Sequence, residues 1–452
     1  MVTPGLRVGS HPSIYYTIIV KTLKLAAILF ASLSTNLLAA TFTSAPKVDS
    51  IADLTNRVVS TSSTTTTPYV EVARFSTLND PWPETRIARF DPTSTEAVVP
   101  GCVERTSIST GRWIFDDCFS SDEISATWFG LPDGVIISYV QQRDTGLQIP
   151  YDASVAIQNA NDFMAQRGGG TVVFPPGMWR VAQSIKTKPN VNFRGAAPIT
   201  AVQFDGGAIP MGLSNAKTFI FGSFGGGLGA YSNMNGRGFP VFLTDGPVAY
   251  TNLYTSSFVN YAGDRVNYYR GGNIIENMAI IPDYSWPWNG TNYPSSGWVI
   301  NEVANCELRN CAIWYSLSPA VYVRGGLGFT MTDCLIEGNW VGGVFVTDTS
   351  DTRFRGNRVV QNKGFGVMFH KANSHYLSDN EFWNPTYDLI HYSGATTTVT
   401  NDNYLSSQLV FRTNFVADPV TDTISNAVGS VTGMPIMFGG TSLPGGLDTN
   451  TI

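Results

Sequence analysis

The sequence predicts an all-β solenoid, a single-stranded parallel β-helix of about 23 residues per coil entered through a capping α-helix. Three observations predict it. An internal repeat runs through the second half of the chain. One amphipathic helix stands alone ahead of a long β-rich region. The composition is poor in charge and rich in glycine: 14% of the 452 residues are charged, and 44 glycines outnumber 28 lysines and arginines.

The repeat is read in blocks of 23 from Glu307: Glu307–Phe329, Thr330–Thr352, Arg353–His375 and Tyr376–Thr398. Position 2 holds Leu308, Met331, Phe354 and Leu377; position 7 holds Ile313, Ile336, Val359 and Phe382. Position 15 holds Val321, Val344, Val367 and Ile390; position 17 holds Val323, Val346, Phe369 and Tyr392. Apolar positions two apart, twice per block, place two inward-facing strand segments in each coil. Position 5 holds Cys311, Cys334, Asn357 and Asn380, expected to stack as an internal ladder at a turn with about 4.8 Å between rungs. A leucine-rich repeat has a similar period, but its Leu-rich consensus with a fixed Asn is absent.

The helix is expected within Tyr151–Gly170. Asp152 is a candidate N-cap, Ala156, Ala160, Phe163 and Met164 share one face, and Gly168-Gly169-Gly170 ends the element. A strand at Thr171–Phe174, a Pro175-Pro176-Gly177 turn and a strand at Met178–Val181 follow. A lone helix there suits a plug, because the first coil of a solenoid otherwise exposes its interior and an unpaired edge.

Ahead of it, residues 41–150 read as a β-rich lead-in, with short strands at Tyr69–Phe75, Arg86–Phe90 and Gly111–Phe115 and a Ser/Thr-rich loop at Ser60–Pro68. The five cysteines lack zinc-finger spacing with histidine. Cys102 and Cys118 flank a short loop and suit a disulfide in an oxidising compartment; the odd count leaves at least one free thiol. Residues 1–40 read as an export signal: Lys21 and Lys24, the apolar run Leu25–Leu33, then Ala39 and Ala40, with a start near Val20 left open. The expected location is secreted or extracellular, with the periplasm as the alternative and no membrane attachment after signal removal. A net charge of -6 argues against a nucleic-acid partner.

The stretch Tyr151–Gly195, with DASVAIQNANDFMAQRGGGTVVFPPGMWRV and then VNFRG, resembles the opening signature of the pectate-lyase-like superfamily of β-helix proteins, which includes tailspike-type and secreted polysaccharide depolymerases. Ser50-Ile51-Ala52-Asp53-Leu54, Gly111-Arg112-Trp113 and Trp128-Phe129-Gly130 are similar to the lead-in of tailspike-type depolymerases. The resemblance covers roughly residues 50–400 and implies a right-handed β-helix over 151–415, followed by a C-terminal tail at 416–452. It also implies a polysaccharide substrate and a monomer or homotrimer. Two features depart from it. A longer stretch, Leu131–Pro150, replaces the usual short Asp-rich link, and the motif set of polygalacturonases is missing, which argues against an ordinary pectin hydrolase. An export signal argues against a virion tailspike.

In that family the Asn-stack turn lies between the second and third strands, so the resemblance makes positions 14–18 the first strand, with an outward face lining the substrate groove. Position 16 gives Tyr322, Phe345, Met368 and His391; position 18 gives Asn301, Arg324, Thr347, His370 and Ser393; position 19 gives Glu302, Gly325, Asp348, Lys371 and Gly394. A long insertion, Pro282–Gly297, leaves from the turn beside this face and carries Tyr284, Trp286, Trp288 and Tyr293, aromatic faces suited to stacking on sugar rings. A second aromatic stretch, Tyr250–Tyr269, has no place in the register.

Two mechanisms fit these residues. In β-elimination on a uronate polymer, which is preferred, Arg324 neutralises the carboxylate, His370 or His391 abstracts the C5 proton, and Tyr322 protonates the leaving oxygen. In inverting glycoside hydrolysis, Glu302 and Asp348 act as the carboxylate pair, two coils or about 9.6 Å apart, with Gly325 between them leaving room for water and Glu337 as a further acid. Asn301, Phe345 and Lys371 are candidate substrate contacts. A third reading is an adhesin that binds glycans without cutting them. No cofactor is evident; no calcium motif is visible, although scattered acidic residues leave that ion open.

Overall fold

The structure is a computed structural model that describes residues 45–57, 69–75, 81–107, 110–131, 152–199, 217–222, 239–246, 255–259, 265–282, 295–370, 375–385, 387–392, 397–399, 404–405, 408–412 and 437–438. Three parallel sheets wind into a right-handed β-helix. Each full coil contributes one short strand to each sheet, so one coil reads Glu307–Arg309 in sheet A, Ala312–Trp314 in sheet B and Val321–Arg324 in sheet C. Among the described residues, sheets A and C have nine strands and sheet B has eight.

The register is the 23-residue repeat. Leu308 pairs with Met331, Met331 with Phe354 and Phe354 with Leu377; the Ile313 and Val321 columns run likewise. The inward columns form one continuous core, in which Leu308, Ile313, Val321, Met331, Ile336 and Phe354 are fully buried. There are thus three strand segments per coil where the alternation announced two. Sheet A strands are three or four residues long, and those of three carry one inward side chain, as in Glu307-Leu308-Arg309, too short for a period of two to show.

The position-5 ladder forms as expected. Asn357 N–H donates to Asn380 Oδ1 at 3.0 Å and Cys334 N–H to Asn357 Oδ1 at 3.0 Å; Asn357 Nδ2 reaches back to Met331 O at 2.8 Å. A second ladder, not evident in the sequence, fills the turn between sheets B and C. Ser316 N–H donates to Asn339 Oδ1, Asn339 to Asn362 Oδ1 and Asn362 N–H to Asn384 Oδ1. Each amide closes backbone groups that a tight turn in the interior would otherwise leave unpaired.

The second ladder also exposes a slip in register. Asn339 and Asn362 are 23 residues apart, but Asn362 and Asn384 are 22 apart. Earlier coils place Gln361, in the left-handed region at φ 58°, between the sheet B strand and the ladder residue; after Trp383 that residue is missing. The next strand therefore pairs Val367 with Leu389, Met368 with Ile390, Phe369 with His391 and His370 with Tyr392. A shift of one residue exchanges the two faces of a strand, so the expected columns of Ile390, His391 and Tyr392 are all corrected by one place.

The helix Ser154–Gln166 covers the N-terminal end. Ala156, Ile157, Ala160, Phe163 and Met164 join the solenoid core beside Val172 and Phe193. Ala153 is the N-cap, while Asp152 Oδ1 accepts the Ser154 and Ala182 N–H groups, both at 3.0 Å. Asn161 is fully buried and pairs with the first sheet C rung, donating to Lys186 O at 2.8 Å and accepting from Lys188 N–H at 3.1 Å. The lead-in forms a five-stranded sheet, is tied by a Cys102–Cys118 disulfide, and sends Glu123–Ser125 into sheet A beside Thr171–Val173. Met437–Phe438, within the segment expected to be a tail, pairs with Val410–Phe411 in sheet C.

Candidate functional site

The site builds from the C-terminal edge of sheet C. Along Val321–Arg324 the inward residues Val321 and Val323 fill the core, which sends Tyr322 and Arg324 to the outer face. After Arg324 and its equivalents the chain turns sharply through residues in the left-handed region: Glu302 at φ 60°, Gly325 at φ 65° and Asp348 at φ 50°. Their N–H groups climb the ladder, Glu302 to Arg324 O at 2.7 Å, Gly325 to Thr347 O and Asp348 to His370 O, both at 3.1 Å. The expected position-19 column of Glu302, Gly325 and Asp348 is therefore one row of turn residues.

Gly325 has a reason beyond its dihedral. A Cβ there would sit 3.1 Å from Glu302 Cγ and 3.5 Å from Val266 Cγ1. The Glu302 side chain thus leans along the coil axis over the glycine, toward the coil of Asp348. Two ladder spacings separate the backbones of Glu302 and Asp348 by about 9.6 Å.

On the position-18 column, Asn301 Nδ2 donates to Asp245 Oδ1 at 3.1 Å, Arg324 is exposed, and Thr347 is buried. Thr347 Oγ1 lies 3.1 Å from Asp348 Oδ2 and 3.2 Å from His370 Nδ1, joining an acid and an imidazole on neighbouring coils. Tyr392 follows in the column of His370. Arg324, Asn301, Glu302, Asp348 and His370 thus share one edge, and Thr347 and Asp245 join them. Thr347 falls in the expected column, but an uncharged β-branched residue gives no sign of chemistry until its neighbours are placed.

Other expected residues lie elsewhere. Tyr322 and Phe345 are corrected from groove residues to packing residues. With Leu243, Val299 and Met368 they form a buried apolar stripe along position 16, their rings 5.3 Å apart, because successive coils carry apolar side chains there. His391 is corrected to the column of the inward Phe369 by the shortened turn. Glu337 ends a sheet B strand instead, at the opposite edge of sheet C from position 18, and accepts from Trp314 Nε1 at 3.1 Å. Burial raises its carboxyl above the ordinary value. Tyr284, Trp286, Trp288, Tyr293 and Lys371 lie outside the described residues.

Two described parts of the Tyr250–Tyr269 stretch border this edge at Glu302 and Gly325. Thr255–Val259 and Arg265–Tyr269 pair as an antiparallel hairpin, and Tyr269 N–H donates to Glu302 O at 2.7 Å. The signal in the sequence is two β-prone runs around Gly263-Asp264. Among the described residues, no group of three or more His, Cys, Asp or Glu side chains is placed to hold a metal ion, and no helix is long and apolar enough to cross a membrane.

Fold and matched region define the class: a right-handed parallel β-helix protein. The family described as "Right handed beta helix region" matches residues 247–404. Among solved structures, the chain is similar to the tailspike protein gp49 from Acinetobacter baumannii bacteriophage Fri1, a capsular polysaccharide depolymerase, at 14% identity over 82% of this chain and 60% of that one, with a TM-score of 0.49. It is similar to WceF of Pantoea stewartii, a glycan biofilm modifying enzyme, at 9% identity over 81% of this chain and 46% of that one, TM-score 0.40. It is also similar to PfbA, a surface adhesin of Streptococcus pneumoniae, at 13% identity over 65% of this chain and 80% of that one, TM-score 0.33. The chain thus spans less than two thirds of the length of the first two. No curated protein matches the chain by sequence.

Proposed function

We propose that the chain is a secreted carbohydrate-active enzyme that cleaves an acidic polysaccharide by β-elimination at the sheet C edge. The observation that carries this reading is the juxtaposition of exposed Arg324 with the Asp348–Thr347–His370 chain on consecutive coils. Arg324 and His370 are two rungs apart, about 9.6 Å, a gap that one uronate ring and the arginine stem bridge. The guanidinium neutralises the sugar carboxylate, which acidifies the C5 proton. His370 takes that proton, the C5–H electrons form the C4–C5 double bond, and the C4–O bond breaks. The imidazolium returns the proton to the leaving oxygen, a role that buried Tyr322 does not fill. The Cys102–Cys118 disulfide supports an oxidising, extracellular setting.

A second reading, inverting hydrolysis, is favoured by the lean of Glu302 over Gly325 toward the Asp348 coil. A panel of acidic polysaccharides separates the two. Elimination yields an unsaturated uronate with ultraviolet absorbance along with each new reducing end; hydrolysis yields reducing ends alone. Binding without turnover on every member overturns both in favour of an adhesin.

A further inference from the structure

Thr347 Oγ1 stands within hydrogen-bond reach of two groups, and its single proton decides what each of them is doing. A hydroxyl carries one hydrogen, and an ionised carboxylate only accepts. The Thr347 proton therefore goes to Asp348 Oδ2, 3.1 Å away, and the oxygen is left to accept from His370 Nδ1 at 3.2 Å. Nδ1 must then bring a hydrogen. We infer that Thr347 is a positioning residue, which holds His370 in the Nδ1-protonated tautomer and so places the basic lone pair of the neutral ring on Nε2, the nitrogen turned away from Thr347.

The fold keeps this relay in place. Thr347 is 5% exposed in a strand paired on both sides, and a β-branched side chain has few χ1 options there. Asp348 sits at φ 50°, a conformation that Asp tolerates better than most residues, and the turn brings its carboxylate back to the preceding hydroxyl. The Phe345 ring, 6.5 Å from the imidazole and tilted by 37°, flanks His370. The charged and titratable groups nearest His370 in the ladder are Asp348 and, one rung beyond Thr347, Arg324 on one side; on the other, the strand Tyr387–Tyr392 carries Tyr387, Asp388, His391 and Tyr392, the last in the register of His370. In a protein the tautomer of a histidine is set by the bond its other nitrogen makes. The catalytic meaning of the tautomer rests on His370 being the base proposed above; the tautomer itself does not.

The experiment is a two-bond proton–nitrogen correlation spectrum of the full-length protein labelled with 15N-histidine, with the His370 signals identified by their loss in His370→Gln. Above the titration of the ring, the wild type should show a protonated Nδ1 and a pyridine-like Nε2. Thr347→Ser should keep that pattern, and Thr347→Val should shift it toward the Nε2-protonated form. On a cleaved polysaccharide, Thr347→Val should lower kcat by at least about tenfold with little change in KM, and Thr347→Ser should restore it. An Nε2-protonated His370 in the wild type, or an unchanged pattern in Thr347→Val, overturns the relay. A correct tautomer in a protein whose His370→Gln variant keeps full turnover leaves the relay standing and removes His370 from the reaction.

Discussion

Glu104 and Arg86 share the interior of the N-terminal sheet. Arg86 is 4% exposed, lies over the Phe115 and Trp128 rings at 4.4 and 4.2 Å, and pairs with Asp117. Glu104 accepts Gly101 N–H at 2.6 Å, and burial pushes its carboxyl up to about 7 against the pull of Arg86. A folded-state value above the ordinary 4.5 means that the folded protein holds a proton the unfolded chain releases. The stabilisation is complete below the unfolded value and is lost as the pH rises through about 7. Tm should therefore fall between pH 5 and pH 8 by less in Glu104→Gln than in the wild type; equal slopes by calorimetry would contradict this. At the sheet C edge, His370→Ala and Arg324→Ala should each lower turnover on the cleaved polysaccharide by about 10²-fold or more, the usual scale for a lost general base, with little loss of stability. If both remain active while Glu302→Gln or Asp348→Asn is inactive, hydrolysis replaces elimination.

Among the elements, the capping helix carries the sharpest expectation. Ile157 is fully buried and Phe163 nearly so, with Phe129 5.7 Å from Phe163 on the lead-in side. An Asp at either position buries a charge without a partner and lifts the helix from the first coil. Ile157→Asp or Phe163→Asp should give aggregates by size-exclusion chromatography, since the exposed rung is a template for strand pairing; a monodisperse variant would show that the helix is not the cap. The helix and the 23-residue columns were legible because Ala156, Ala160 and Phe163 repeat with helical spacing and Ile313, Ile336 and Val359 repeat with the coil. The sheet A strands were not, since one inward residue makes no alternation. The Asn339–Asn362–Asn384 ladder was hidden by the same missing residue that misplaced His391. The shared edge of Arg324, Glu302, Asp348 and His370 was legible from the 23-residue spacing. The burial of Tyr322 was not legible, because what covers an outward face is not written in the strand itself.

Taken whole, the molecule is a stack in which each coil leans only on its neighbours, with a core that runs unbroken from the lead-in residues Trp113 and Phe115 to Phe382. Cys306, Cys311 and Cys334 all lie within it as free thiols. Burial pushes Cys306 and Cys311 up to about 12, and Cys334 well above its ordinary value. The thiolate is the reactive form, so native protein should not react with a thiol reagent, and three thiols should appear only on unfolding in denaturant. Their order of appearance reports how the stack opens: simultaneous exposure means that these coils unfold together, and a lag between Cys306 and Cys334 means that unfolding travels along the axis.

The single residue missing after Trp383 is absorbed in the turn that lacks it. Beyond it Asn384 still pairs with Asn362, and the next strand keeps its pairing, Val367 with Leu389, Phe369 with His391 and His370 with Tyr392, all at an offset of 22. In a stack of this kind the turns take up changes in length, so one coil can be shorter than its neighbours without altering the rows that its strands share with them. A residue inserted between Trp383 and Asn384 should fill the place that Gln361 holds one coil earlier and leave His391 in the row of Phe369.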